Sequence, residues 1–222
     1  MTSKKQQSSN SLLLLKDSIY RLKSLFRQGW IGSVPSSDIE SVADHTYAVA
    51  SLALLLIPVE NALRKTDKLN ELLVLQLALL HDLGESQYLD IDKRMLNVLG
   101  KEAKSIKKNI EYQAASNIRQ QLNSFTKQAF PGSNFLLGEQ IYENLLQFID
   151  QTSLEAKFVR ILDKMELNLQ CQIYLRKGFI STIESKSFLQ ETYNILTKSV
   201  HEFKIIPYLI NEKVVVQEVN QS

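Results

Sequence analysis

Four ionisable residues lie in stretches of this chain that are otherwise built to be buried. His45, the adjacent pair His81-Asp82, and Asp163 each sit on a strongly helical, largely apolar segment. Burying an unpaired polar side chain in such a place costs on the order of 2–7 kcal/mol. Any fold that packs these helices must therefore give the four residues partners, and the natural partners are one another around a shared cation. Two imidazoles and two carboxylates form a mixed nitrogen and oxygen donor set that suits Mn, Fe, Co, Ni or Zn.

The chain has 222 residues, of which 44% are hydrophobic, enough for one filled core without a second domain. Its formal net charge of +2 supplies no basic stripe, which argues against nucleic acid as a partner but leaves room for a local cationic phosphate pocket. The single cysteine, Cys171, excludes an internal disulfide and fits a reducing, cytoplasmic setting. With no neighbouring His or second Cys, it reads as an inert core thiol. The early apolar run Leu12–Leu15 ends at Lys16-Asp17, too short for a signal core or a membrane span.

Periodicity divides the rest into helices. Residues 1–10 are polar and Ser/Gln-rich, which predicts a disordered lead-in. Apolar residues at helical spacing predict a helix from Leu12 to Arg27, stopped by Gly29, and then a Gly/Pro/Ser loop from Gly32 to Asp38. Ser41 with Asp44 opens the next helix, which carries His45 and the apolar run Tyr47–Ile57. A helix from about Leu69 to Glu85 has apolar residues all round its axis, the mark of a central position.

Lys101–Ser124 is more polar and reads as an outer helix; Pro131-Gly132 separates it from a helix over Leu137–Ile149. Thr152-x-x-Glu155 resembles a capping box for the helix that carries Asp163 towards Tyr174. A further helix is predicted over Lys186–Phe203, ended by Pro207, and the alternating stretch Tyr208–Val219 predicts a small hairpin. The expected architecture is an all-α bundle over residues 11–203 with a C-terminal extension over 204–222.

On one continuous helix, His81, Asp82 and Glu85 would fall within an arc of about 100°. His45 and Asp163 must then arrive from two other helices, as ligands in bundles do. A metal held there would acidify a water and neutralise a phosphoryl oxygen. Glu85 is placed to orient that water or take its proton, and Asp90 to protonate a leaving alkoxide. Each residue alone has a plainer reading: a lone helical His is usually structural, Asp163 could pair with Lys164 or Arg160, and Asp90 and Asp92 could be ordinary loop acids. The combination on apolar helices outweighs these.

The series His45, His81-Asp82, Asp163, with the flanks Glu40-Ser41-Val42-Ala43-Asp44-His45 and His81-Asp82-Leu83-Gly84-Glu85, resembles the HD-domain metal-dependent phosphohydrolases. The flanks resemble their 5'-deoxynucleotidase branch, and the likeness runs from about Leu22 to Tyr193. It includes Gly29-Trp30 and the blocks Glu155-Ala156-Lys157-Phe158-Val159 and Leu162-Asp163-Lys164. The resemblance implies an HD-domain helical bundle and hydrolysis of deoxynucleoside 5'-monophosphates to deoxynucleosides and phosphate. It implies a divalent metal (Mn, Co, Mg, Ni, Fe or Zn) on His45, His81, Asp82 and Asp163.

It further implies that Arg27 contacts the substrate phosphate and that Trp30 lies beside the sugar. Glu85 and Asp90, with a backbone carbonyl near Ile91, would in some relatives hold a second ion such as Mg²⁺. Relatives form homodimers. Two departures touch the substrate rim: Ile31-Gly32-Ser33-Val34-Pro35 lacks the second Arg common after the Trp, and Leu89 stands where a Gly is expected. The competing functions are another HD-type nucleotide phosphohydrolase, against which the remaining single histidine, His201, argues, and a catalytically silent nucleotide- or partner-binding helical module. His201 itself is expected on a helix surface.

Overall fold

The computed structural model of the chain describes residues 16–91 and 93–218; the polar lead-in over 1–10, Asp92 and Val219 lie outside them. The helices are α1 (16–22), a 3₁₀ turn η1 (Gln28–Trp30), α2 (Val42–Leu63), α3 (Glu71–Leu80), α4 (Glu85–Tyr88), α5 (Lys93–Ala129), α6 (Leu137–Asp150), α7 (Leu154–Arg176), α8 (Thr182–Lys198) and α9 (Ile206–Asn211). Among the described residues there is no strand, only the isolated bridges Phe26 with Ser41 and Ile31 with Val34. The expected all-α class holds.

α7 is the keystone. It packs against α2, α3, α6 and α8, burying Ala156, Phe158, Val159, Leu162 and Met165 against Val49, Ala53 and Ile57 of α2 and Val74, Leu77 and Ala78 of α3. Each large apolar side chain removed from water in this seam contributes about 1.5–3 kcal/mol. A second cluster, with Leu22, Val42, Leu83, Ile118 and Leu145, joins α5 and α6 to the other end of the bundle. The site lies between the two.

Local signals set the helix starts. Ser41 and Asp44 form a full capping box at α2, the Asn70 side chain accepts from Leu73 N–H at α3, and Ser181 with Glu184 caps α8, satisfying amides that a helix start leaves unpaired. At its far end α2 is anchored by Glu60, whose carboxylate accepts from Arg64 and from the Lys204 and Ile205 amides. α2 is long and apolar enough to cross a membrane by length and composition, yet His45 and Glu60, both buried on it, find their partners inside this fold.

Several predicted boundaries are corrected. The first helix ends at residue 22, well before Gly29, because Arg27 N–H bonds Glu40 and Val42 N–H bonds Leu25, pulling the chain into extended pairing. α3 stops at Leu80, and residues 81–84 form a tight turn in which successive i→i−3 bonds replace the α pattern. α3 is also less central than its composition predicts, since Leu72 and Leu79 are 66% and 56% exposed. α5 contains a break at Gly100, whose φ of 79° is outside the helical range.

The cap of α7 is Ser153, not Thr152; Glu155 instead accepts from the Asn70 amide, tying α7 to α3. α8 begins at Thr182 and ends at Lys198 rather than spanning Lys186–Phe203. His201 is exposed but lies in the turn after α8, not on a helix. Pro207 starts a helix rather than ending one, at the first turn of α9, where its missing N–H costs nothing. The predicted hairpin over 208–219 is absent from its described part. Its backbone pairs instead with side chains of α7: the Asn168 amide bonds both N–H and C=O of Val216, and Gln172 Nε2 donates to the Val214 carbonyl.

Candidate metal and phosphate site

The four predicted metal ligands converge from α2, the 81–84 turn and α7. His45 Nε2 lies 3.4 Å from His81 Nε2, 3.4 Å from Asp163 Oδ1 and 3.7 Å from Asp82 Oδ2, and His81 Nε2 is 3.3 Å from Asp82 Oδ2. The outer nitrogens are engaged elsewhere: His45 Nδ1 is 2.6 Å from Glu166 Oε2, and His81 Nδ1 is 2.8 Å from the Ala78 carbonyl. Those contacts assign the N–H to Nδ1 in both rings, which turns two Nε2 lone pairs towards each other. Two lone pairs and two carboxylate oxygens at this spacing require a cation among them.

In the protein without metal that cation is a proton. Burial and Arg27 oppose it, but the bonds to Asp163 and Glu166 push His45 up to about 10. A divalent ion answers the same demand with a donor set it favours, so the residues fit the metal. Burial works against ionised Asp163 too, yet Lys164 at 2.7 Å from its Oδ2 and His45 at its Oδ1 hold it well below the usual carboxylate range. Asp82 is likewise held low, with burial outweighed by the His81 and Arg27 charges.

Arg27 reaches into this acidic cluster. Its Nη1 stands 3.2 Å from Asp82, 3.7 Å from Asp90 and 3.8 Å from Glu85. Asp90 is fixed by the Gln28 amide at 2.8 Å, so η1 and the loop after α4 are locked together. Glu85 Oε2 is buried and without a hydrogen-bond partner. Burial, then the charges of Asp82 and Asp90, raise its carboxyl well above the ordinary value. His81, Asp82 and Glu85 do face one spot, although a tight turn rather than one continuous helix puts them there.

Leu89, at the position where the resemblance implies a glycine, has φ 73° and ψ 159°. That is a region essentially reserved for glycine, so the loop keeps a glycine's shape with a leucine in it. Trp30 is 1% exposed. Its ring packs on Tyr174 and Phe188, at centroid distances of 5.1 and 4.7 Å, and its Nε1 donates to Glu40 at 2.8 Å. It is therefore a core anchor that also walls the cavity. Burial and Glu166 push Glu40 up to about 7.

The cavity, about 650 Å³, is lined by Arg27, Trp30, His81, Asp82, Glu85, Asp90, Ile91 and Asp163. The sequence reading missed its other wall: Lys104, Lys107 and Lys108 of α5 and Arg160 and Lys164 of α7. A signal was present. Lys104, Lys107, Lys108 and Glu111 recur at i, i+3, i+4 and i+7 and lead into the buried Ala115, so one face of a helix taken as external points at the site.

The sequence profile of the HD domain matches residues 19–204. This chain belongs to the HD-domain family. The HD domain here is 32% identical over 169 residues to 5'-deoxynucleotidase hdd1 of Schizosaccharomyces pombe, covering 76% of this chain and 75% of that protein. It is 30% identical over 166 residues to human 5'-deoxynucleotidase HDDC2, covering 75% of this chain and 69% of that protein. A conserved hypothetical protein of Pyrococcus furiosus superposes with a TM-score of 0.62 at 27% identity, covering 91% and 98% of the two chains. An HD-domain phosphohydrolase of Listeria innocua, at 20% identity, covers 91% and 87% with a TM-score of 0.67 and shares the fold.

Proposed function

We propose that this HD-domain protein is a divalent-metal phosphomonoesterase that hydrolyses deoxynucleoside 5'-monophosphates to deoxynucleosides and inorganic phosphate. One observation carries the reading: four donors from three elements meet within 3.7 Å of His45 Nε2 or His81 Nε2, with Arg27 beside them in the same cavity. The names of its relatives point to the same substrate class. His45, His81, Asp82 and Asp163 hold the ion, which when bound supplies Lewis acidity towards a phosphoryl oxygen and a water.

The chain's own groups do the rest. Arg27 presents a planar guanidinium that fits phosphate oxygens. Glu85, buried beside Asp82 with Oε2 unpartnered, is placed to accept the proton of the attacking water as the new P–O bond forms. Asp90 delivers a proton to the 5' oxygen as the old P–O bond breaks. Trp30 closes the sugar side of the cavity, where a 2'-hydroxyl would meet a rigid wall. A second reading of the acidic pair is favoured by Glu85 and Asp90 sharing one cation, Arg27: they hold a second ion such as Mg²⁺, with the Ile91 carbonyl.

The first ion is a divalent metal from the set Mn, Co, Mg, Ni, Fe or Zn, each of which suits nitrogen or oxygen donors of this set. The protein is cytoplasmic in this reading, in keeping with its one buried free thiol, and engages no nucleic acid. It forms a homodimer through the apolar residues that α2 and α3 leave exposed, Tyr47, Leu54, Leu55, Leu72 and Leu79. The deciding experiment is a phosphate-release screen of the purified protein with Mn²⁺, Co²⁺, Mg²⁺ and Zn²⁺ against all deoxy- and ribonucleoside monophosphates. Release from deoxynucleotides with a transition metal supports the proposal, and release from none of them defeats it.

A further inference from the structure

The support given to the two histidines is unequal. His81 is oriented by a backbone carbonyl, that of Ala78, which its own turn provides. His45 is oriented by a side chain 121 residues away, Glu166, across 2.6 Å. Asp163 and Glu166 stand three apart on α7, so they project from the same face one turn apart. They straddle the imidazole: Asp163 Oδ1 sits at Nε2 and Glu166 Oε2 at Nδ1. Glu166 is 4% exposed, so water is no substitute for it. Its carboxylate is on the side of the ring away from the metal-facing nitrogen, and Glu166 is not among the residues lining the cavity.

We infer that Glu166 is a positioning residue for the metal: it fixes the rotation and tautomer of His45 and thereby aims Nε2 at the ion, without touching ion or substrate. The inference rests on the metal reading proposed above. Beside this pair stands Glu40, with a carboxylate oxygen within 4.8 Å of a His45 ring nitrogen and of a Glu166 carboxylate oxygen, and Trp30 Nε1 donates to it. The aim of His45 is thus braced by a layer that ends at the cavity wall. Partners in this outer position govern metal affinity about tenfold to a hundredfold. A buried ion pair serving stability alone would leave that affinity untouched.

The test is calorimetric titration of the full-length, metal-free protein with Mn²⁺, alongside thermal denaturation without metal. Glu166→Ala is expected to raise the Mn²⁺ Kd by about tenfold to a hundredfold. Glu166→Gln, whose amide oxygen still accepts from Nδ1–H, should restore most of the affinity. At saturating Mn²⁺ the KM for dAMP should be that of the wild type in both. If Glu166→Ala does not fold, Glu166→Asp, too short to span the contact, takes its place with the same expectation. A folded variant with a lowered Tm and an unchanged Kd overturns the inference. A wild type that takes up none of Mn²⁺, Co²⁺, Mg²⁺, Ni²⁺, Fe²⁺ and Zn²⁺ overturns the metal reading and the inference with it, a result distinguishable from the former. If another of these ions binds and Mn²⁺ does not, the same titrations are run with that ion.

Discussion

Replacing Arg27 with alanine separates phosphate recognition from metal binding. Arg27 faces three carboxylates at 3.2–3.8 Å, and each pair at that distance interacts by about 5 kcal/mol at an effective dielectric of 20. Most of that is offset by desolvating the guanidinium. Removing one partner of such a buried cluster costs about 3–5 kcal/mol, so metal-free Arg27→Ala should be markedly less stable. With a divalent ion bound, the ion supplies the missing positive charge, and much of the stability should return.

Catalysis should not recover in parallel. A guanidinium fork contributes two charge-assisted bonds of about 1.5–3 kcal/mol each, so kcat/KM for a deoxynucleotide should fall by about 10² to 10⁴. Arg27 donates no lone pair, so metal content should stay at the wild-type level. The assay is phosphate release under metal saturation, with metal content measured on the same sample by mass spectrometry. Near-wild-type kcat/KM in a metal-loaded, folded Arg27→Ala protein would refute the assignment and leave Arg27 as a counter-ion for the acids.

Other expectations follow from the same geometry. His81→Ala should abolish metal retention and phosphate release together, and retained metal would dissolve the four-donor centre. Glu85→Ala and Asp90→Ala should keep the first ion but hydrolyse far more slowly; turnover at the wild-type rate in both would remove them from the mechanism, while a wild type that needs Mg²⁺ with its first site full would assign them a second ion. Leu89→Gly should stabilise the protein by about 1–3 kcal/mol by relieving its backbone strain, and a lowered urea midpoint would contradict the strained φ. Glu40, raised to about 7 from 4.5, keeps in the folded state a proton that the unfolded chain has lost. Its contribution is full below about pH 4.5 and disappears as pH rises through 7, with a slope of at most about 1.4 kcal/mol per pH unit between those two values. The difference in urea stability between metal-free wild type and Glu40→Gln should therefore change across that window, and a flat difference would show that Glu40 ionises normally.

The meeting of His45, His81, Asp82 and Asp163 was legible because chemistry and burial conflict at those positions: they have no place on apolar helices unless they find one another. Their outer partners were not legible. Glu166 stands in the ordinary-looking run Lys164-Met165-Glu166-Leu167, and nothing local says that it faces a residue 121 positions earlier. The same holds for Lys104 and Lys107, since a polar helix face looks alike whether it meets water or a cavity. Helix ends failed where a tertiary contact overrode a local signal. Glu155 was read as a capping partner but serves Asn70, and the β-branched tail ending in Val214-Val215-Val216 found a side chain rather than a strand to pair with.

The place of α7 in the chain order sets how this protein must be born. His45, His81 and Asp82 leave the ribosome long before Asp163 and Glu166, and so do the apolar faces of α2 and α3 that α7 will cover. Until α7 follows, Val49, Ala53, Ile57, Val74 and Leu77 lack the α7 side of their seam, and Asp163 is missing from the cluster of donors. On the metal reading proposed above, α7 brings both the last donor and the cover of the hydrophobic seam, so the full donor set and the closed core depend on the same late segment. A chain truncated before residue 154 would be both unable to hold metal and prone to aggregate.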